Sequence, residues 1–206
     1  MPKGEGNIRL VLESAGGIAR LVLDAPPRNE MDQDFFRTFA TLTGPLKELS
    51  ARGLVIHGAG RHFSSGADVA ALKAGVSGAQ PSLAAAALGD ATASFQQIAA
   101  LPYPTVAAVG GCCLGSGLEL ALACRWRVAA ANAVFALPET SFDLMPGCGG
   151  TVRLPLLVGR GRAVELLLSG RFVDAKEALA IGLVDAVVDR RDLLDTALRL
   201  LERVPA

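Results

Sequence analysis

The segment LGSGLELALAC, residues 114–124, is the tightest constraint this sequence places on a fold. Its front is glycine-rich, the rest reads as helix, and every side chain except Glu119 is small or apolar. A helix that is apolar on all sides has to be covered on all sides, so the remaining chain must wrap this one. Glu119 is then a carboxylate at a position that ought to be core. A charge there costs several kcal/mol, of order ~5, unless something compensates it. Either it turns outward, with Arg125 and Arg127 within reach as partners, or it faces something that uses it.

The flanking segments say what does the wrapping. NIRLVLES and IARLVLDAP read as two strands about a turn at Ala15–Gly17, a hairpin pattern. From Asp32, Phe35, Phe39, Leu42, Leu46 and Leu49 recur at alternating spacings of four and three, which predicts a helix that Pro45 kinks or splits. GLVIHGAG reads as a short buried strand, and RHFSSGADVAALKAG as a loop leading into a helix that Asp68 helps to start. Residues 74–83 are small and polar and predict a mobile loop. AAAALGDATASFQQIAAL is helical in character, and PYPTVAAVGGCC reads as one strand reached through two prolines. After the 114–124 segment come two strands, RWRVAA and AVFALPE. Helices follow near 150–158, 161–169, 174–181 and 191–203, with a GLVDAVV strand before the last. Strands alternating with helices argue an α/β fold, and no 20–50-residue sequence repeat stands out.

Composition narrows the function classes. At 206 residues, 51% apolar, the chain builds one sizeable core. Its 20 Lys and Arg balance 20 Asp and Glu without a long run of either sign, which removes the usual footprint of a nucleic-acid binder. MPKGEGNIRL lacks the apolar core of a signal peptide, and no apolar run reaches the length of a membrane span. Cys112, Cys113, Cys124 and Cys148 make no C-x-x-C pair or zinc spacing, and His57 and His62 are the only histidines. The expectation is buried reduced thiols, no metal, and a cytoplasmic location.

Two glycine-rich turns carry the remaining signal. SSGAD, residues 64–68, and LGSGLE, residues 114–119, each follow a predicted strand and open a helix. Free backbone N–H groups at a helix start suit an anion, or an oxygen that becomes one in a transition state. A tight strand-to-helix connection also needs glycine, so each turn alone favours that plainer reading. Neither is a dinucleotide fingerprint, a P-loop or a nucleophile elbow. Glu139, like Glu119, stands in apolar company. Two carboxylates sharing a cavity would push at least one titration upward, which suits acid–base work. LMPGCGGTVRL, ahead of a helix carrying Arg153, reads as a helix N-terminal turn or a weak phosphate cradle.

HFSSGAD, LGSGLELALAC and ALPETSFDLMPGCGGTVRLPLLVG, in this order and spacing, resemble the crotonase superfamily, whose type member is enoyl-CoA hydratase. The resemblance runs from about Ile8 to about Val188. It implies a spiral of β-β-α turns with two roughly perpendicular sheets, acting on acyl-CoA thioesters. It also implies an oxyanion hole made by the N–H groups of Ala67 and Ser116, which hold the thioester oxygen as an enolate forms. By the same resemblance Glu119 and Glu139 hold one water. Glu119 helps it attack Cβ of a 2-enoyl thioester, and Glu139 delivers a proton to Cα. Coenzyme A, part of the substrate rather than a cofactor, is expected along His62, Ser65, Gly66, Asp68 and Val69, with Gly115 beside the acyl group and Arg28 toward its phosphates. Isomerases of the family usually keep one of the two carboxylates, so the pair favours a hydratase. LVLDAPPRNEMD and HFSSGADVAAL also resemble the branch that hydrates cyclic dienoyl-CoA.

Three departures qualify the match. Ser116 stands where the family commonly has glycine. Asp143 also replaces a glycine, either as a left-handed backbone residue or as a third acid by the acyl pocket. Relatives continue with further C-terminal helices that cover the pocket and pack trimers. Here a spiral core over residues 1–190 is expected, followed by a remnant helix over 191–206, so that a homotrimer or hexamer is in question. Other expectations kept open are an isomerase or other thioester-enolate enzyme, and a non-catalytic acyl-CoA-binding subunit.

Overall fold

The computed structural model describes residues 8–12, 17–69 and 81–203, with the backbone alone for 9–12 and 81–88. Strand β1 (Ile8–Leu12) pairs antiparallel with β2 (Ile18–Leu23), Leu12 opposite Ala19, as a hairpin requires. The hairpin turn itself lies outside the described residues.

From β2 onward the chain repeats one path. A strand runs in a large sheet, a short strand follows in a second layer, and a helix returns. β2 leads to β3 (Glu30–Met31) and α1 (Gln33–Thr43). β4 (Gly53–Gly58) leads to β5 (Gly66–Ala67) and a helical residue at Val69, beyond which the expected helix and residues 74–80 of the expected loop lie outside the described residues. After α2 (Pro81–Ala99), β6 (Thr105–Val109) leads to β7 (Cys112–Leu114) and α3 (Ser116–Ala123). β8 (Trp126–Ala130) leads to β9 (Val134–Ala136), a 3-10 turn (Pro138–Phe142) and α4 (Gly150–Val158). α5 (Arg160–Ser169), β10 (Val173–Asp174), α6 (Ala175–Ala180), β11 (Ala186–Val188) and α7 (Leu193–Glu202) complete the chain.

The large sheet has the order β1-β2-β4-β6-β8-β11, parallel from β2 onward. β3 pairs with β5, and β10-β9-β7 form a three-stranded sheet; a bridge between Ser64 and Cys113 joins these two groups. The spiral of β-β-α turns expected from the motifs is thus the observed fold, with the second layer in two pieces.

Parallel strands covered on both faces read as unbroken apolar runs. Leu54, Ile56, Ala107, Val109 and Ala129 face the main core, with α1, α2 and α3. Val55, Val106, Ala108, Val128 and Ala130 face Leu193, Ala197 and Leu201 of α7. The C-terminal helix is therefore the cover of the outer sheet face, with Leu201 against Gly53. Asp32 caps α1 by accepting from the Phe35 N–H at 2.7 Å, and the Phe35, Phe39 and Phe95 rings join α1 to α2.

Three expectations are corrected. PYPTVAAVGGCC is two strands, because Gly111 adopts φ +56 and turns Cys112–Cys113 into the second layer. Residues 81–83, expected as loop, form the first turn of α2, with Pro81 at the first helical position. AVFALPE stops as a strand at Ala136, and Pro138 opens the 3-10 turn that carries Glu139.

Candidate active site

The two glycine-rich turns meet back to back. A Cβ on Gly66 would fall 2.6 Å from the Leu114 carbonyl oxygen and 3.5 Å from Gly115 Cα, and one on Gly117 would fall 2.8 Å from Ser64 Cβ. Gly66 also holds φ +91 and Gly115 φ +51. These glycines therefore allow both a backbone shape and an approach that side chains would prevent. The contact places Ala67 and Ser116, each directly after one of the glycines, on neighbouring turns. Ser116 is the first residue of α3, whose N–H has no helical carbonyl to meet.

The first turn is pinned by residues the sequence reading passed over. The Asn29 amide nitrogen lies 3.1, 2.8 and 3.1 Å from the carbonyl oxygens of Ala59, His62 and Phe63. The Asn29 carbonyl accepts from Ser64 Oγ at 2.7 Å, and Ser64 Oγ accepts from the Gly66 N–H at 3.0 Å. Asn29 itself is buried with φ +52. A single polar residue after Pro-Pro-Arg was the available signal, since Asn tolerates left-handed backbone and bonds across turns.

Glu119 is 1% exposed. Its partner is not Arg125 or Arg127. Arg127 instead donates to the Leu183 and Cys124 carbonyls and pairs with Asp185. Glu119 Oε1 accepts from the backbone N–H of Cys148 at 2.7 Å and of Gly150 at 2.8 Å. LMPGCGG is thus a helix N-terminal turn whose anion is a side chain from the same protein. Burial pushes the Glu119 carboxyl up, and the two N–H groups and the charge of Arg153 oppose that.

Glu139 has no such cradle. Its Oε1 side faces Gly115, where a Cβ would come within 3.1 Å, and its Oε2 is buried without a hydrogen-bond partner. Burial, opposed by its own backbone N–H and aided by the negative charge of Glu119, pushes it up to about 7. The charge of Glu119 bears on Glu139, and the two carboxyls sit in unequal surroundings, one held by two backbone donors from another segment and one with an oxygen left unpartnered. Environments that separate a pair in this way divide acid from base. The Cys148 thiol interacts with Ser116, Thr92 and Glu119, and burial pushes it up to about 12, which keeps it neutral.

The other named residues distribute as follows. Ser65 donates its N–H to the Arg28 carbonyl at 2.9 Å, so Arg28, exposed, stands beside the first turn. Ser65 Oγ is buried without a partner. The Asp68 N–H bonds the Met31 carbonyl at 3.2 Å, and Val69 follows it at the helix start. His62 stands near Arg28, whose charge bears on it. Its Nδ1 accepts from the Cys112 N–H at 3.0 Å, and the ring lines a cavity of about 160 Å³ with His57, Arg61 and Arg190, which neither carboxylate borders. Burial, then Arg61, push His62 down. Asp143 is exposed and ends the 3-10 turn with φ +58, the left-handed conformation. Among the described residues no three His, Cys, Asp or Glu gather as a metal site, and no helix is long and apolar enough to cross a membrane.

Comparison with known proteins bears on the family and the fold. Residues 13–205 match the enoyl-CoA hydratase/isomerase family. A fatty acid oxidation complex subunit alpha from Vibrio cholerae is 47% identical over 167 residues, covering 80% of this chain and 23% of that protein. The chain therefore spans about a quarter of the length of such curated relatives. The crystal structure of an enoyl-CoA hydratase from Bacillus anthracis superposes with a TM-score of 0.87 at 32% identity, over 96% of this chain and 76% of that one. Pseudomonas aeruginosa DspI superposes with a TM-score of 0.86 at 35% identity, over 94% and 79%. With its spiral of β-β-α turns and its two meeting glycine turns, this chain belongs to the enoyl-CoA hydratase/isomerase family of the crotonase superfamily.

Proposed function

We propose that the chain hydrates a 2-enoyl-CoA thioester to the 3-hydroxyacyl-CoA. The observation that carries this reading is the unequal carboxyl pair: Glu119 held by two backbone donors, Glu139 with its Oε2 buried and unpartnered and pushed up to about 7. An isomerisation moves a proton with one carboxyl. Adding water needs one group to polarise the water and one to supply a proton, and this pair divides the two tasks.

The thioester oxygen rests on the Ala67 and Ser116 N–H groups. Glu119, ionised, draws a proton from the water as its oxygen attacks Cβ. Electrons move onto the thioester oxygen, giving an enolate that the two donors stabilise, each worth about 3 kcal/mol. Glu139, whose protonated form is still substantially populated near neutral pH, delivers its proton to Cα as the enolate collapses. The proton that Glu119 took up then restores the pair, so one water is consumed and none is left over. Orphaned Ser65 Oγ and the exposed Arg28 beside it support coenzyme A running along the first turn. Coenzyme A belongs to the substrate, and the chemistry requires no separate cofactor.

The relative named as a fatty acid oxidation subunit supports a role in acyl-chain breakdown. Four free cysteines support a reducing, cytoplasmic setting. Exposed Val152, Leu156, Val164 and Leu168 on the α4–α5 hairpin support association with further copies, as in a trimer.

The test is product analysis on straight-chain 2-enoyl-CoA. Hydration adds the mass of one water. Isomerisation leaves the mass unchanged, and binding in a thermal-shift assay without product marks a non-catalytic subunit. Glu119→Gln should lower turnover about 10²- to 10⁴-fold, and full activity in that variant sinks the two-carboxyl mechanism.

A further inference from the structure

We propose that Arg153 is a positioning residue for the acid–base pair: its guanidinium clamps the 148–150 backbone so that two N–H groups stay aimed at Glu119, and its charge favours the ionised form of that buried carboxylate. The proposal deepens the hydratase reading and rests on it for its kinetic consequence.

Arg153 lies in the first turns of α4 but does not point away from the helix start. Its side chain folds back across Gly149. Nη1 donates to the Cys148 carbonyl at 2.8 Å, and Nη2 donates to Gln96 Oε1 on α2 at 3.0 Å. Gly149 has φ +105, and a Cβ on it would collide with the guanidinium. The carbonyl that Arg153 holds belongs to Cys148, the residue whose N–H meets Glu119; Gly150, which supplies the other donor, is two residues on. One side chain thus fixes the segment that makes both bonds and ties it to a neighbouring helix.

Its location is costly on other grounds. The start of a helix carries the positive end of the dipole, where cations are disfavoured. Here the cation is offset by the Cys148 carbonyl and by the negative charge of Glu119, on which it acts attractively.

The elements packed on α3 offer no substitute. α4 brings Arg153 as its only charged residue, and α2 brings only Asp90. β5 and β6 bring none, and β7 brings the thiols Cys112 and Cys113. Glu139, Asp90 and the Cys148 thiol contribute no positive charge, so among the described residues Arg153 is the cation that bears on Glu119.

The experiment is a pH profile of kcat/KM for hydration in the full chain, together with a carbon-13 titration of the Glu119 carboxyl assigned by its loss in Glu119→Gln. In Arg153→Gln, the acid limb and the Glu119 titration should both move upward by a resolvable fraction of a pH unit, since the charge of Arg153 weighs less on Glu119 than the two N–H bonds do. Arg153→Lys keeps a charge but not the two-armed fork, and should move both upward by a smaller amount while keeping the wild-type fold. Melting curves monitor that fold. A Glu119 titration unmoved in either folded variant overturns the proposal, even where turnover falls. If the wild type adds no water to enoyl-CoA, the hydratase reading fails by itself, and the carboxyl titration still decides the role of Arg153.

Discussion

Replacing Glu139 by Gln should stop catalysis and yet stabilise the protein, by an amount that depends on pH. The carboxyl is pushed from 4.5 to about 7 in the folded state, chiefly by burial. Well below pH 4.5 it is protonated folded or unfolded, and the site costs nothing. As pH rises toward 7 the unfolded chain releases this proton while the folded chain keeps it, so stability falls with pH. Above 7 the folded carboxyl ionises too, and the penalty stays constant. Each pH unit of displacement is worth about 1.4 kcal/mol. The full displacement would give about 3 kcal/mol, and screening by the solvent that still reaches the site reduces this to about 2 kcal/mol. Glutamine keeps the shape and does not titrate. Its unpaired amide costs about 1 kcal/mol at every pH, so the diagnostic is the change in the difference between the two proteins. Urea unfolding of both at pH 5, 6, 7 and 8 measures it. The variant should gain about 2 kcal/mol relative to wild type across that range, or about 4–8 °C in Tm for a chain of this size. Parallel stability curves over the whole range would refute the argument, because they would mean that Glu139 ionises in the folded protein at no cost.

Three further outcomes are expected. Ser116→Pro removes one oxyanion donor from a position, the first of a helix, where proline fits. Gly115 before it, at φ 51 and ψ −127, has no Cβ to clash with the ring. Turnover should drop about 10²- to 10³-fold with little loss of stability, whereas Ser116→Gly, which keeps the N–H, should remain active; equal activity in both variants would remove Ser116 from the site. Gly66→Ala puts a Cβ 2.6 Å from a carbonyl oxygen at φ +91 and should destabilise by about 2–3 kcal/mol in chemical denaturation. Asn29→Ala leaves the Ala59, His62 and Phe63 carbonyls without their shared donor, which should cost about 2–3 kcal/mol and lower kcat by disordering the 64–67 turn; an unchanged melting curve would contradict that role.

Much of the fold was legible because its cues are local. The apolar strand runs, the helix stripe from Phe35, the break at Pro45, where α1 gives way to a 3-10 turn (Gly44–Glu48), and the glycines at strand ends each act within a few residues, and the elements fell where they pointed. The misreadings were also local. The chain bends at Gly111, where the sequence offers only one more small residue in an apolar run, and Pro81 starts a helix where it reads equally well as loop. The β-β-α repeat left no trace as a sequence repeat. Each turn of the spiral uses different residues, and only the backbone path recurs.

The site divides along the same line. The sequence by itself determined that a carboxylate stands in a helix otherwise fit only for burial, and that two strand-to-helix turns are built on glycine. Helix periodicity and the steric freedom of glycine are properties of short stretches. The tertiary structure decided what those features are for. It set Gly66 against Gly115, brought Glu139 to bear on Glu119, and gave Glu119 the N–H groups of Cys148 and Gly150 in place of Arg127. A buried charge must be satisfied by whatever packing brings within 3 Å of it, and those partners come from another turn of the spiral, about thirty residues along the chain.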